Sequence, residues 1–282
     1  MPGTMLNIAE VERSRFNRNC TVVSVLLDLR RENWGNYRRD FSDYLNWLKN
    51  TLSLKCNLVM HIDAAHYELA ANERRKHDPL MHHTILVKTE LRDLPMHGYR
   101  TRIAETMLRE DFKSGLALPD VPEANNPDYA TLILSKVPLV RRWCDRNPFR
   151  TPYFCWLDAG MCHSNFPAGL YGTTFPKDEK ISAICVSDKI HVLCRSTPQP
   201  MDANMSWFFR AHVNRFGAAC VFGRRERFAE LEAKQTELLE RALGMSLIDC
   251  EQSLWTVLHL ENPELIEPFM GDWYDNFFRI AE

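Results

Sequence analysis

The chain has 282 residues, enough for one large α/β domain or for about two domains of ~150 residues each. Its 35 Lys and Arg nearly balance 37 Asp and Glu, leaving a net charge of −2, which argues against a general nucleic-acid binder resting on a basic face. With 45% hydrophobic and 26% charged residues, 11 Gly and 15 Pro, the composition excludes collagen, coiled coil and disordered tail as the main architecture.

The first buried segment is Thr21 to Leu29, β-branched and continuously apolar, which predicts a strand covered on both faces. Turn residues Asn33-Trp34-Gly35-Asn36 follow, and Tyr37 to Leu54 carries a helical apolar stripe. Cys56 to Asp63 reads as a second strand, His82 to Leu91 as a third, and Arg100 to Leu116 as a helix. A loop rich in Pro, Asn and Asp at Pro119 to Asp128 is the best place for a boundary, though one continuous domain is the favoured reading. Helical spacing returns over Tyr129 to Asp145, and Tyr153 to Gly160 is a short apolar strand ending on a carboxylate and a glycine. Two further strands are expected at Ile181 to Val186 and Lys189 to Cys194, and another at Phe216 to Phe222. Arg224 to Leu243 is the clearest amphipathic helix, with Gly244 as its stop, and Cys250 to Glu261 is helical. The aromatics Trp273, Tyr274, Phe277 and Phe278 near the end either pack as core or rest on a membrane surface. Alternation of strands and helices over the first half predicts an α/β protein with a mostly parallel sheet flanked by helices. The expected organisation is an N-terminal extension over residues 1–19 and a single domain over 20–282.

The nine cysteines are scattered without a CxxC pair, so they read as reduced thiols and not as a zinc site. No apolar run approaches the ~20 residues that span a bilayer, and the first residues lack the apolar core of a secretion signal, so the expected location is cytoplasmic. Dinucleotide, P-loop, zinc-protease and nucleophile-elbow signatures are absent.

One segment stands out: Trp156-Leu157-Asp158-Ala159-Gly160. Open α/β sheets bind ligands at the carboxyl ends of their strands, and Gly160 lets backbone approach a ligand. Asp158 can there hold a divalent cation that grips a diphosphate, or it can simply cap a turn.

The stretch Asn147-Pro148-Phe149-Arg150-Thr151-Pro152-Tyr153-Phe154, running into Trp156-Leu157-Asp158-Ala159-Gly160, resembles the hallmark of the HtrL/YibB family. Asp28-Leu29-Arg30, Trp34, Tyr37, Tyr44, Tyr129, Ser135-Lys136, Glu251-Gln252 and Pro263-Glu264-Leu265 agree with it, so the resemblance spans most of Cys20 to Trp273. It implies a fold of glycosyltransferase GT-A type, a nucleotide-sugar donor with a UDP-sugar favoured, and a divalent cation, manganese or magnesium. GT-A enzymes usually carry an Asp-x-Asp pair, whereas this triplet has one acid, so His163 is either the candidate second ligand beside Asp158 or an exposed loop histidine. The donor-site candidates are Arg30, Lys136, Trp156, Asp158, Ala159, Gly160 and Gln252. Arg30 and Lys136 would offset diphosphate charge, Lys136 from the start of a helix, though Arg30-Arg31 can equally be an exposed pair at a strand end. Glu251, with Asp249 as the alternative, would deprotonate the acceptor hydroxyl, though acids in a first helical turn are also favoured by the macrodipole alone. Trp34, Trp207 and Trp255 are stacking candidates or core aromatics. The expected activity is transfer of a sugar to a hydroxyl of a glycan or lipid-linked acceptor. The alternatives are a non-catalytic nucleotide-sugar binding protein and a metal-assisted nucleotidyl or phosphoryl transferase.

Overall fold

The computed structural model describes residues 16–163 and 166–282. Its centre is a seven-stranded sheet of order β3-β2-β1-β4-β6-β5-β7. The strands are β1 (Cys20–Leu26), β2 (Asn57–Ile62), β3 (Thr84–Lys88), β4 (Tyr153–Leu157), β5 (Ile190–Cys194), β6 (Phe216–Arg224) and β7 (Ile266–Met270). Only β6 opposes its neighbours, pairing antiparallel with β4 and β5, while the remaining pairs are parallel.

The helices are α1 (Phe41–Ser53), α2 (Tyr67–Arg75), α3 (Arg100–Leu108), α4 (Glu110–Lys113), α5 (Pro122–Asn125), α6 (Pro127–Leu134), α7 (Lys136–Arg146), α8 (Asp178–Ile184), α9 (Met205–Ala211), α10 (Arg227–Gly244), α11 (Glu251–Glu261) and α12 (Asp275–Ala281). They cover both faces of the sheet. Because strand side chains alternate, Val23, Val25, Phe154 and Trp156 pack on one side with α7, α10 and α11. Val22, Leu26, Tyr153, Cys155 and Leu157 pack on the other with α1 and α12. Helix α10 buries Phe228, Leu231, Gln235, Leu238, Leu239 and Ala242, a stripe at helical spacing. All nine cysteines are free and buried, so they serve as small apolar residues.

The structure corrects several expectations. Ile181 to Val186 is not a strand but the end of α8 and a following turn. Ile181 and Cys185 are buried while Val186 is 73% exposed, an i, i+4 pattern, and Asp178 and Glu179 suit a helix start. The long helix expected over Tyr129 to Asp145 breaks at Ser135 into α6 and α7. Pro138 has no N–H to donate, and it is tolerated because it falls in the first turn of α7. The helix expected over Arg100 to Leu116 likewise breaks at Arg109, between α3 and α4. Strand β7 went unpredicted because Pro268 interrupts it; as an edge strand beside β5 alone it tolerates that proline.

The expected extension at 1–19 falls mainly outside the described residues, but Phe16 and Asn17 are part of the packed body. Phe16 stacks on His83 at 4.2 Å, and Asn17 Oδ1 accepts from the Cys20 amide at 2.6 Å. Among the described residues, no helix is long and apolar enough to cross a membrane.

Candidate active site

Strand β4 delivers the first functional group. Alternation places Trp156 and Asp158 on the same face, and the indole Nε1 donates to Asp158 Oδ1 at 2.6 Å. The Asp158 backbone anchors the strand end, donating to Ala219 O at 2.8 Å and accepting from the Met161 amide at 2.9 Å. Its carboxylate instead accepts from Lys136 and Trp156, so it acts beyond the local turn.

Lys136 opens α7 and reaches this carboxylate. Its Nζ lies 2.9 Å from Asp158 Oδ1 and 2.9 Å from Glu251 Oε1, with Ala218 O at 3.4 Å. Glu251 is the first residue of α11 and is 1% exposed; Lys136 is 8% exposed and Asp158 36%. Burial alone would weaken the charged lysine, but the two carboxylates prevail and hold its pKa above the usual lysine range. Burial pushes Glu251 above the usual carboxylate range, and Lys136 opposes that push. Both pKa values therefore rise: Lys136 answers to two acids, whereas the buried Glu251 has one cation. Asp249, next to this cluster, is 4% exposed and immediately precedes Cys250, the N-cap residue of α11. Its carboxylate accepts from the Cys250 amide at 2.8 Å and from Ser253 Oγ at 2.6 Å. Burial raises its pKa to about 7 against those two hydrogen bonds.

Asp158 and Lys136 border a cavity of about 310 Å³ at the carboxyl ends of β1 and β4. The same cavity is lined by an aromatic and cationic wall of Arg31, Trp34, Arg39, Tyr44 and Trp47. Arg31 Nε donates to Tyr37 O at 2.9 Å, its Nη1 donates to the Tyr44 hydroxyl, and its guanidinium carbon lies 5.4 Å from the Trp34 ring centre. Arg39 sits 5.0 Å from the Trp47 ring centre and donates to the same hydroxyl at 3.3 Å. Tyr129 closes the far side, edge-on to Trp34 at 5.3 Å. His163 lines the cavity and packs on Trp47 at 4.2 Å; burial, then Arg39, lower its pKa, which favours the neutral imidazole.

The expected residues thus divide. Lys136, Trp156, Asp158, Ala159, Gly160 and His163 meet at the cavity. Arg30 does not: it is exposed with a left-handed backbone (φ 56°), and its neighbour Arg31 enters instead. Glu251 lies beneath Lys136, where it holds the lysine and is too buried to meet an acceptor hydroxyl. Asp249 is committed to the Cys250 amide and the Ser253 hydroxyl, and Gln252 is not among the described lining residues. Trp34 lines the cavity, Trp255 is core with Nε1 on Gln235 Oε1 at 2.8 Å, and Trp207 packs beside Phe208. Sequence reasoning missed Arg31, Arg39 and Trp47. The basic and aromatic density of residues 31–47 was the available signal.

The cation site expected at Asp158 and His163 does not fit this arrangement. Among the described residues, no group of three or more His, Cys, Asp or Glu side chains can hold a metal ion. The Asp158 carboxylate is already engaged by an ammonium and an indole. A side chain at Gly160, where an Asp-x-Asp pair would place its second acid, would meet Trp47 at 3.2 Å and Tyr44 at 3.3 Å from its Cβ.

Residues 18–282 match a family model described as "Bacterial protein of unknown function (HtrL_YibB)". Protein HtrL of Escherichia coli K12 is 26% identical over 185 residues, a match spanning 63% of this chain and 62% of that protein. Two solved structures are similar in outline. Mouse xyloside xylosyltransferase 1 is 13% identical, with 89% of this chain and 85% of that chain covered and a TM-score of 0.48. The 4-diphosphocytidyl-2C-methyl-D-erythritol synthase of Anaerococcus prevotii is 8% identical, with 94% and 95% covered and a TM-score of 0.42.

Proposed function

The chain belongs to the HtrL/YibB family, and on that premise we propose that it transfers a sugar from a nucleotide-diphosphate sugar to a hydroxyl of a glycan or lipid-linked acceptor. The observation that carries the reading is Asp158. Its carboxylate is held by the buried Lys136, yet stays 36% exposed at the floor of the cavity at the strand ends, where open α/β sheets take their ligands. The aromatic wall suits a nucleoside and a sugar ring, both of which stack on aromatic faces. In the reaction the acceptor oxygen forms a bond to the anomeric carbon, the bond from that carbon to the diphosphate oxygen breaks, and the diphosphate leaves with the electron pair. The hydroxyl proton goes to Asp158 or His163, both cavity-lining groups able to accept it. Lys136 fixes Asp158 in place, and Glu251 acts through Lys136 as a positioning residue. Catalysis then rests on orientation and on charge placed in advance of the reaction.

The test is a thermal-shift panel of nucleotide sugars, with UDP-sugars first, followed by mass analysis of products formed with hydroxyl acceptors. A ligand at 100 times its Kd stabilises by about 2.7 kcal/mol, enough to see. Release of nucleoside diphosphate with a glycosylated acceptor supports the reading. Binding without turnover would identify a nucleotide-sugar binding protein, and release of nucleoside monophosphate or pyrophosphate a different transferase. No shift from any nucleotide diphosphate or its sugar would end the donor reading.

A further inference from the structure

The cationic groups around the cavity are not equivalent. Lys136 has its single positive charge shared between two carboxylates at 2.9 Å, so it has none to spare for an arriving anion. Arg31 and Arg39 line the same cavity and, among the described residues, neither has a carboxylate within ion-pair distance.

These two guanidiniums are also fixed in place. Both donate to the Tyr44 hydroxyl, and each stacks on an indole: Arg31 on Trp34 at 5.4 Å, Arg39 on Trp47 at 5.0 Å. The Tyr37 carbonyl takes Arg31 Nε, which leaves Nη2 of both arginines without a protein acceptor among the described hydrogen bonds. Planar donors held rigidly by stacking suit phosphate oxygens, because little side-chain freedom is lost on binding. Among the described lining residues the single acid, Asp158, is already engaged, and a side chain at Gly160 would crowd Trp47 and Tyr44.

We propose that Arg31 and Arg39 form the diphosphate subsite of this cavity and that they do so without a divalent cation. The inference rests on the donor reading above and deepens it. In that reading the two guanidiniums neutralise the charge that gathers on the departing diphosphate, the work a metal ion would otherwise do.

The experiment is calorimetry on the full chain in EDTA, with UDP and inorganic pyrophosphate as probes, repeated with Mn²⁺. UDP is expected to bind in EDTA, with Mn²⁺ changing its affinity by less than about threefold. Arg31→Gln and Arg39→Gln should each weaken UDP and pyrophosphate roughly 10- to 100-fold, the worth of a hydrogen bond to a charged group. Arg39→Lys should lose less than Arg39→Gln, because it keeps the charge. Should Arg31→Gln fail to fold, Arg39→Gln carries the test, since that side chain holds one hydrogen bond among the described residues. UDP binding that requires Mn²⁺, or folded variants that bind as the wild type does, would overturn the inference and leave the donor reading standing. Pyrophosphate bound through both arginines while no nucleotide binds, with or without metal, would keep the anion site and overturn the donor reading instead. If neither probe binds in EDTA or with metal, both fail.

Discussion

Replacing Lys136 with methionine tests the cluster on which the site is built. The substitution preserves length and apolar stem and removes only the ammonium. Glu251, 1% exposed, would lose the partner on Oε1, and its Oε2 already has no partner among the described residues. Removing one member of a buried ion pair typically costs about 3–5 kcal/mol, because the other charge is left uncompensated. The Asp158 leg adds little, since that carboxylate is 36% exposed and water can replace the lysine. For a chain of this size the loss corresponds to a fall in Tm of roughly 6–15 °C. The assay is denaturant unfolding at pH 7 without ligand for wild type, Lys136→Met, Glu251→Met and the double variant. With both groups gone no charge is stranded, so the double variant should regain at least half of the loss, a coupling of about 1.5 kcal/mol or more. A Lys136→Met variant that loses less than about 1 kcal/mol, or single effects that add within about 0.5 kcal/mol, would show that the pair is not an energetic unit.

Asp158→Asn should lower sugar transfer by two orders of magnitude or more, since one preorganised electrostatic contact is worth about 2.7–4 kcal/mol, while Tm hardly moves; a large loss of stability with activity intact would make Asp158 a structural residue. Asp249 has a pKa of about 7 in the folded protein, above its ordinary carboxylate value, so the folded state holds the proton more tightly. Its contribution to stability is complete below about pH 4 and is lost as pH rises to about 7. Asp249→Asn should therefore remove part of the decline in stability between pH 4 and pH 7; identical slopes for variant and wild type in unfolding titrations would refute the assignment. Arg74 is fully buried and donates to the carbonyls of Leu52, Leu54 and Cys56 at 2.7, 2.5 and 2.8 Å. Arg74→Met should cost at least about 3 kcal/mol by stranding those acceptors, with nucleotide affinity unchanged in the folded fraction; equilibrium unfolding and calorimetry check both parts.

The sequence by itself determined the buried strands at the middle of the sheet, though not its edge strand β7. Runs such as Thr21 to Leu26 and Tyr153 to Leu157 are apolar without alternation, which only burial on both faces permits, and the intervening helical stripes place those strands in a mostly parallel order. It also marked the end of β4 as a candidate site, though an acid there could equally have been a turn cap, and the cavity beside Asp158 came only with the fold. Tertiary structure decided what each charged group does. Lys136 and Glu251 lie far apart in the chain and become partners only when α7 and α11 pack on the same face of the sheet. That pairing turns a presumed base into a lysine anchor, and local sequence carries no trace of it. The choice between Arg30 and Arg31 was also beyond composition: a left-handed backbone at Arg30 turns the chain so that its neighbour's side chain enters the cavity. Spacing along a chain fixes which faces are apolar, because that follows from the period of a helix or strand. Which charges meet depends on how the elements cross, and that is set by the packing of the whole core.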